Sequence, residues 1–192
     1  MGAGIAKVQK RIANKIILVE DVEQQILVRR YLERCGHGEG FRLVRLPAKG
    51  SGGSGEQYVR NQYPLQVQAC RSSLGRRKSA LLIVVIDADT ETTQYRATQL
   101  SDALKTANMD GRSNDEPIVV LIPKRHVETW IRALLGGQVD EAQDYKKPKP
   151  TPPEIGEAAK TLHQWTRRNA SPGATSPPSL TESLPEWQKI PS

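Results

Sequence analysis

Three carboxylates stand where carboxylates can do chemistry. Glu20 closes the hydrophobic run Ile16-Ile-Leu-Val-Glu20, and Asp87 and Asp89 follow the most apolar stretch of the chain, Ala80-Leu-Leu-Ile-Val-Val-Ile86. In an open parallel sheet, groups just beyond the carboxyl ends of the strands line a shared crevice. If the two strands are neighbours, Glu20, Asp87 and Asp89 converge there. Asp87 and Asp89 are two residues apart, so in extended chain they point the same way. Clustered carboxylates repel one another, and a hard divalent cation relieves that repulsion. Oxygen ligands of this kind suit Mg2+ or Mn2+ better than Zn2+. Such an ion keeps several waters and can polarise a phosphate toward attack. The competing expectation is that each acid only caps the following helix, where an N-terminal carboxylate is favoured.

The elements that must position these groups alternate along the chain. Residues 15–20 form the continuous β-branched run expected of a central parallel strand. Residues 23–32 place Ile26, Leu27 and Tyr31 at helical spacing, and Gly36 and Gly38 stop that helix. Residues 41–46 read as a second strand, 50–55 as a flexible Gly/Ser loop, and 56–71 as a helix that Pro64 could kink or divide. Residues 80–86 and 117–122 are further buried strands, each followed by an amphipathic helix, over 95–109 and 127–135. The order β-α-β-α-β-α-β-α predicts an α/β, Rossmann-like domain over residues 15–145, with a mainly parallel four-stranded sheet flanked by helices. Residues 1–14 are a polar, basic arm. Residues 146–168 join a Pro/Lys-rich linker to a helix with Ala158, Leu162 and Trp165 on one face. Residues 169–192, rich in Ser, Thr and Pro, are expected to be a disordered tail in which Trp187 is either incidental or part of a partner-binding peptide.

Composition narrows the classes. The 192 residues carry 28 Lys and Arg against 21 Asp and Glu, a formal charge of +7 that suits a polyanionic partner. One Phe, three Trp and five Tyr supply poorly a single-strand platform built on successive stacked bases. No apolar run approaches the roughly 18 residues of a membrane span, and the N-terminus has no apolar signal region, so no membrane partner is expected. Two cysteines, Cys35 and Cys70, point to a reducing cytoplasm rather than a disulfide framework. Gly50–Gly55 lacks the Lys-Ser/Thr of a phosphate loop, the cysteines and histidines lack zinc spacing, and there is no Gly-x-Ser-x-Gly elbow.

The two acidic segments, Ile17-Leu-Val-Glu20 and Val85-Ile-Asp87-Ala-Asp89, resemble the marks of the Toprim domain shared by primases, topoisomerases and OLD-type nucleases. The resemblance covers about residues 15–137. It implies acid–base chemistry or metal binding at Glu20, Mg2+ binding at Asp87 and Asp89, and cleavage of a nucleic-acid phosphodiester. Among Toprim relatives, small stand-alone proteins of bacterial anti-phage defence are most similar, and some carry an acid and a Trp beyond the last core strand, here Glu128 and Trp130. Where that family usually has glycine after the glutamate this chain has Asp21. Where it often has an acid four residues on, this chain has Gln24, with Glu23 beside it. Asp21, Glu23 and Glu128 are therefore accessory candidates. The resemblance also allows a catalytically silent Toprim subunit that assembles with a larger partner such as an ATPase.

Residues 16–22 followed by an Arg-containing helix also resemble the start of a response-regulator receiver. That likeness implies Mg2+ at Glu20 and Asp21 and phosphorylation of Asp87, and it leaves Asp89 without a role. Basic groups complete the candidate site. Lys124 and Arg125 follow the last strand on the side of the carboxylates and could hold the phosphates flanking a scissile bond, positioning the strand without reading its sequence.

Overall fold

The computed structural model describes residues 12–44 and 54–191. Within them run β1 (Asn14–Leu18), α1 (Val22–Arg34), β2 (Phe41–Leu43), α2 (Gly55–Gly75), β3 (Ala80–Val85), α3 (Thr93–Thr106), β4 (Ile118–Leu121), α4 (Val127–Leu134), α5 (Pro152–Trp165) and α6 (Pro178–Trp187). Residues 1–11 of the expected N-terminal arm, 45–46 of the expected second strand and 50–53 of the glycine-rich loop lie outside the described residues.

The strands pair in the order β2-β1-β3-β4, all parallel, which is the α/β architecture the alternation predicts. β1 and β3 are directly paired, with Leu18 opposite Val84. The pleat sends alternate residues to opposite faces. Ile17, Leu81, Ile83 and Val85 pack under α1, α4, α5 and α6, while Ile16, Leu18, Leu82 and Val84 pack under α2 and α3. Both faces are therefore covered, as the unbroken apolar runs require. α2 runs uninterrupted through Pro64, because Val59, Tyr63, Val67 and Cys70 hold its inner face on the sheet.

Residues 169–177 contain neither helix nor strand, but the disorder expected of the whole tail does not hold beyond them. Pro178–Trp187 form α6, and its Leu180, Leu184 and Trp187 are core residues. Those three recur at helical spacing. Pro178 stands at the first helical position, where a missing N–H costs nothing. Trp187 is 1% exposed and packs at 4.6 Å between ring centroids on Tyr31, so it fills the molecule's own core rather than serving as a free peptide anchor. α6 also covers the edge of the sheet. Glu186 Oε2 accepts the Val120 amide of β4 at 3.0 Å and an Arg112 Nη1 proton at 2.7 Å, which occupies a backbone group that a bare edge would offer to another chain. No helix among the described residues is long and apolar enough to cross a membrane.

Candidate functional site

In chain order the sheet grows first to one side of β1 and then to the other, so the switch point lies between the ends of β1 and β3. Glu20 lies two residues past β1 and Asp87 two past β3, which puts both at that point. Glu20 Oε1 accepts the Asp87 backbone N–H at 2.7 Å. Gln24, fully buried on α1, ties the two segments together. Its Oε1 accepts the Glu20 N–H at 2.8 Å and its Nε2 donates to Asp87 Oδ1 at 2.9 Å. Asp21 caps α1 by accepting the Gln24 N–H at 2.8 Å. The cap of α1 is therefore Asp21 and not Glu20, whereas Glu20 and Asp87 spend their oxygens inside the crevice.

Asp89 reaches the site by a route that strand alternation does not describe. β3 has ended at Val85, and Asp89 has φ of 52°, a left-handed conformation that Asp adopts more readily than most residues. Its N–H donates to the Arg125 carbonyl at 3.1 Å, and the Ala88 N–H donates to the Pro123 carbonyl at 2.8 Å. The loops after β3 and β4 are thereby stitched together. From α3 the buried guanidinium of Arg96 braces the same loop, with Nε donating to the Asp87 carbonyl at 3.0 Å and Nη1 to Glu56 at 2.8 Å. His126 stands between the two aspartates, its Nδ1 3.7 Å from Asp87 Oδ2 and 3.4 Å from Asp89 Oδ1. That nitrogen is buried and has no hydrogen bond.

Burial dominates the electrostatics. It raises Glu20 to about 9, with the Asp87 charge adding to the effect and the Asp87 N–H opposing it. Burial, then the charges of Asp21, Glu128 and Asp89, holds Asp87 well above the ordinary carboxylate range. Asp21 and Glu128 are raised for the same first reason. His126 is lowered by burial and by Lys146. Below pH ~4.5, where a carboxyl in the unfolded chain titrates, Glu20 is protonated in both states and has no effect on stability. Between that point and about pH 9 the folded protein holds a proton that the unfolded chain has released, so stability must fall as pH rises. We expect the melting temperature of metal-free protein to decline steadily from pH 5 to pH 9, and added Mn2+ to reduce the decline. A melting temperature that rises across this range would show that the carboxylates are not buried as described.

Among the described residues no three His, Cys, Asp or Glu side chains stand together as a ready ligand set for one ion. Mg2+, however, commonly takes one or two carboxylates and completes its shell with water and substrate phosphate. Asp87 and Asp89 fit that pattern. Each presents an oxygen within 4 Å of the His126 nitrogen that has no hydrogen bond, while Asp89 also lies 3.8 Å from Arg96 Nη2. Glu20, with one oxygen already bonded to the backbone, suits a proton-carrying role better than a ligand's.

The other candidates are placed as follows. Glu23 is buried and ion-paired with Lys149 at 2.7 Å, and Glu128 is 4% exposed with Oε2 lacking a partner. Lys124 and Arg125 lie at the same end of the sheet, but the Lys124 ammonium donates to the Glu91 carbonyl and the Arg125 Nε is buried without a partner. The lysines nearest the carboxylates come from the linker, with Lys146 4.0 Å from Asp89 and Lys149 on Glu23. Gln24, Arg96 and His126 were not legible as site residues. Gly55 marks another close approach, because a Cβ there would stand 3.1 Å from Glu20 Cβ.

Compared with known proteins, the chain matches no protein-family model, no curated protein and no solved structure.

Proposed function

We propose that this protein cleaves a nucleic-acid phosphodiester with the help of Mg2+ or Mn2+, in the manner its Toprim-like acidic segments suggest. The observation that carries the reading is the meeting of Glu20 and Asp87 at the β1/β3 switch point, with Asp89 held beside them by a left-handed turn. Asp87 and Asp89 would hold the ion, which when bound supplies Lewis-acid polarisation of the phosphate. Glu20 retains its proton around neutrality, and Oε1 accepts the Asp87 N–H, so the proton sits on Oε2. From there it can pass to the departing oxygen as water displaces it, the role of a general acid. Lys146 and Lys149, together with Lys124 and Arg125, provide positive charge along the rim for the strand's phosphates. The cytoplasm is the setting in which this chemistry belongs, and Cys35 and Cys70, both buried and neither in a disulfide, are compatible with it. A role in anti-phage defence rests on the resemblance alone.

A second reading is a silent Toprim-like subunit assembling with a larger partner such as an ATPase. Gln24 favours it, because an uncharged amide already satisfies the Glu20 N–H and one Asp87 oxygen. The third, a receiver-like phosphoacceptor, differs in what it asks of Asp89. The test is Asp89→Ala assayed twice, for metal-dependent cutting of labelled DNA and RNA and for phosphorylation by acetyl phosphate. The nuclease reading predicts loss of cutting by about a thousandfold and no phosphorylation of either form. Phosphorylation at Asp87 that survives Asp89→Ala would select the receiver, and neither activity in wild-type protein would select the silent subunit.

A further inference from the structure

Asp89 holds a left-handed conformation, φ 52°, that a non-glycine residue rarely keeps without support from its surroundings. On one side its N–H is held by the Arg125 carbonyl at 3.1 Å. On the other stands Arg96 of α3, 4% exposed, whose guanidinium offers five N–H donors in a rigid planar fork. Its Nε donates to the Asp87 carbonyl at 3.0 Å and its Nη2 to the Ala88 carbonyl at 3.5 Å. Two successive peptide groups of the turn therefore rest on one side chain. The remaining nitrogen, Nη1, donates to Glu56 Oε2 and to Gln99 Oε1, both at 2.8 Å.

Two carboxylates compete for this buried cation. Glu56 takes a hydrogen bond, whereas Asp89 Oδ2 stands 3.8 Å from Nη2, near enough to feel the charge but beyond hydrogen-bond reach. The charged hydrogen bond is the stronger contact. Asp89, its side chain 38% exposed, accepts no hydrogen bond from Arg96 and stays open to an ion. Glu56 is itself fixed at the start of α2, where Ser54 Oγ donates to its Oε1 at 3.1 Å and Arg60 Nε stands 2.8 Å from its Oε2. The first turn of α2 thus meets Glu20 through Gly55 and the Asp87–Asp89 turn through Glu56 and Arg96.

We propose that Arg96 is the positioning residue of the metal site and that Glu56 is its anchor. The guanidinium props residues 87–89 by their carbonyls, and Glu56 holds it off the carboxylate that must take the ion. Among the described residues, Asp89 is the other carboxylate within 4 Å of Arg96. When the Glu56 charge is removed, the guanidinium closes on Asp89 and competes with the metal ion for the same oxygens. Groups that orient the ligands of a metal commonly govern its affinity by 10–100-fold. This inference rests on the reading of Asp87 and Asp89 as the metal's ligands.

The test titrates the full chain with Mn2+ alone, without nucleic acid, and reads the free ion by its electron paramagnetic resonance signal. Glu56→Gln keeps an oxygen for Arg96 but no charge, and should bind Mn2+ about 10-fold more weakly than the wild type. Arg96→Lys replaces the fork by a point charge and should lose about as much. Glu56 is partly exposed, so Glu56→Gln carries the test should Arg96→Lys fail to fold, and a melting curve for each variant settles that. Glu116→Gln is the control. Glu116 forms a comparable ion pair with Arg71 at 2.6 Å but precedes β4, at the opposite end of the sheet, so its loss should lower the melting temperature and leave Mn2+ affinity unchanged. Equal affinity of Glu56→Gln and the wild type would overturn the proposal and leave the carboxylate site standing, as would an equal weakening in Glu116→Gln. A wild type that binds no Mn2+ would remove the ligand reading and the proposal together. Binding that depends on Glu56 and Arg96 in a protein that cuts nothing would uphold the positioning role and sink the nuclease.

Discussion

Glu20→Gln will melt higher than the wild type at pH 8 and, on the proposed nuclease reading, will cut ~10²–10⁴-fold more slowly. The substitution keeps the oxygen that accepts the Asp87 N–H at 2.7 Å and removes a carboxylate that burial and Asp87 push up to about 9. At pH 8 the wild-type fold must either hold a proton there or bury a charge beside Asp87, whereas a neutral amide does neither. The expected gain is about 2 kcal/mol in the metal-free protein, or roughly 4–8 °C in a chain of this length. In the proposed cleavage Glu20 is the proton donor, and loss of a positioned acid costs a factor of ~10²–10⁴ in rate. Stability purchased at the expense of activity is the signature of a site strained for function. Thermal melts and a cleavage assay on one preparation check both halves. A Glu20→Gln protein that melts lower than the wild type would mean that Glu20 serves the fold rather than the chemistry.

Trp187→Ala will be among the most damaging single changes, although it lies in the segment whose composition reads as disordered. Its ring is buried against Tyr31, and the Tyr31 hydroxyl also reaches the Trp187 carbonyl at 3.4 Å. Truncating a fully buried Trp costs about 3–5 kcal/mol, a drop of roughly 6–20 °C at this size. The consequences extend past the cavity. If α6 lifts, the Val120 amide on the sheet edge loses Glu186, and the Trp130 indole loses the Ser179 oxygen that it meets at 2.7 Å. The variant should therefore aggregate as well as melt early, since an uncovered edge strand invites pairing. Denaturant titration and light scattering measure the two effects, and Trp187→Phe should recover most of the stability. A Trp187→Ala protein with an unchanged midpoint would show that α6 is not part of the folded unit.

The strands were legible because each is a continuous apolar run, and such a run admits few environments other than a sheet covered on both faces. Glu20, Asp87 and Asp89 were legible because they terminate those runs, and the observed pairing of β1 with β3 is the condition under which they meet. Asp89 arrives by a left-handed turn rather than by strand alternation, a conformation that the sequence pattern does not signal. Gln24, Arg96 and His126 were hidden for a different reason. Gln24 and His126 act across long separations, from α1 and from the loop after β4 onto the loop after β3, while Arg96 folds back onto that loop from α3 and joins it to the distant Glu56, and no strand-end pattern encodes these contacts. The lysines of the linker, Lys146 and Lys149, were visible as charge, but their placement at the crevice depends on how residues 146–150 lie along α4 and α1. α6 was missed on composition. Ser, Thr and Pro surround it, yet Leu180, Leu184 and Trp187 behind Pro178 carry a helical stripe that periodicity alone could have found.

The central proposal is that the carboxylates at the β1/β3 switch point form a metal-assisted cutting centre. The most direct measurement incubates purified protein with labelled single- and double-stranded DNA and RNA, with Mn2+ or Mg2+, beside an Asp87→Ala/Asp89→Ala control and an EDTA control. We expect cutting that requires the metal, weakens steeply with salt as phosphate contacts are screened, and disappears in both controls. Cutting that persists undiminished in the Asp87→Ala/Asp89→Ala protein, or no cutting of any of the four substrates by the wild type, would contradict it.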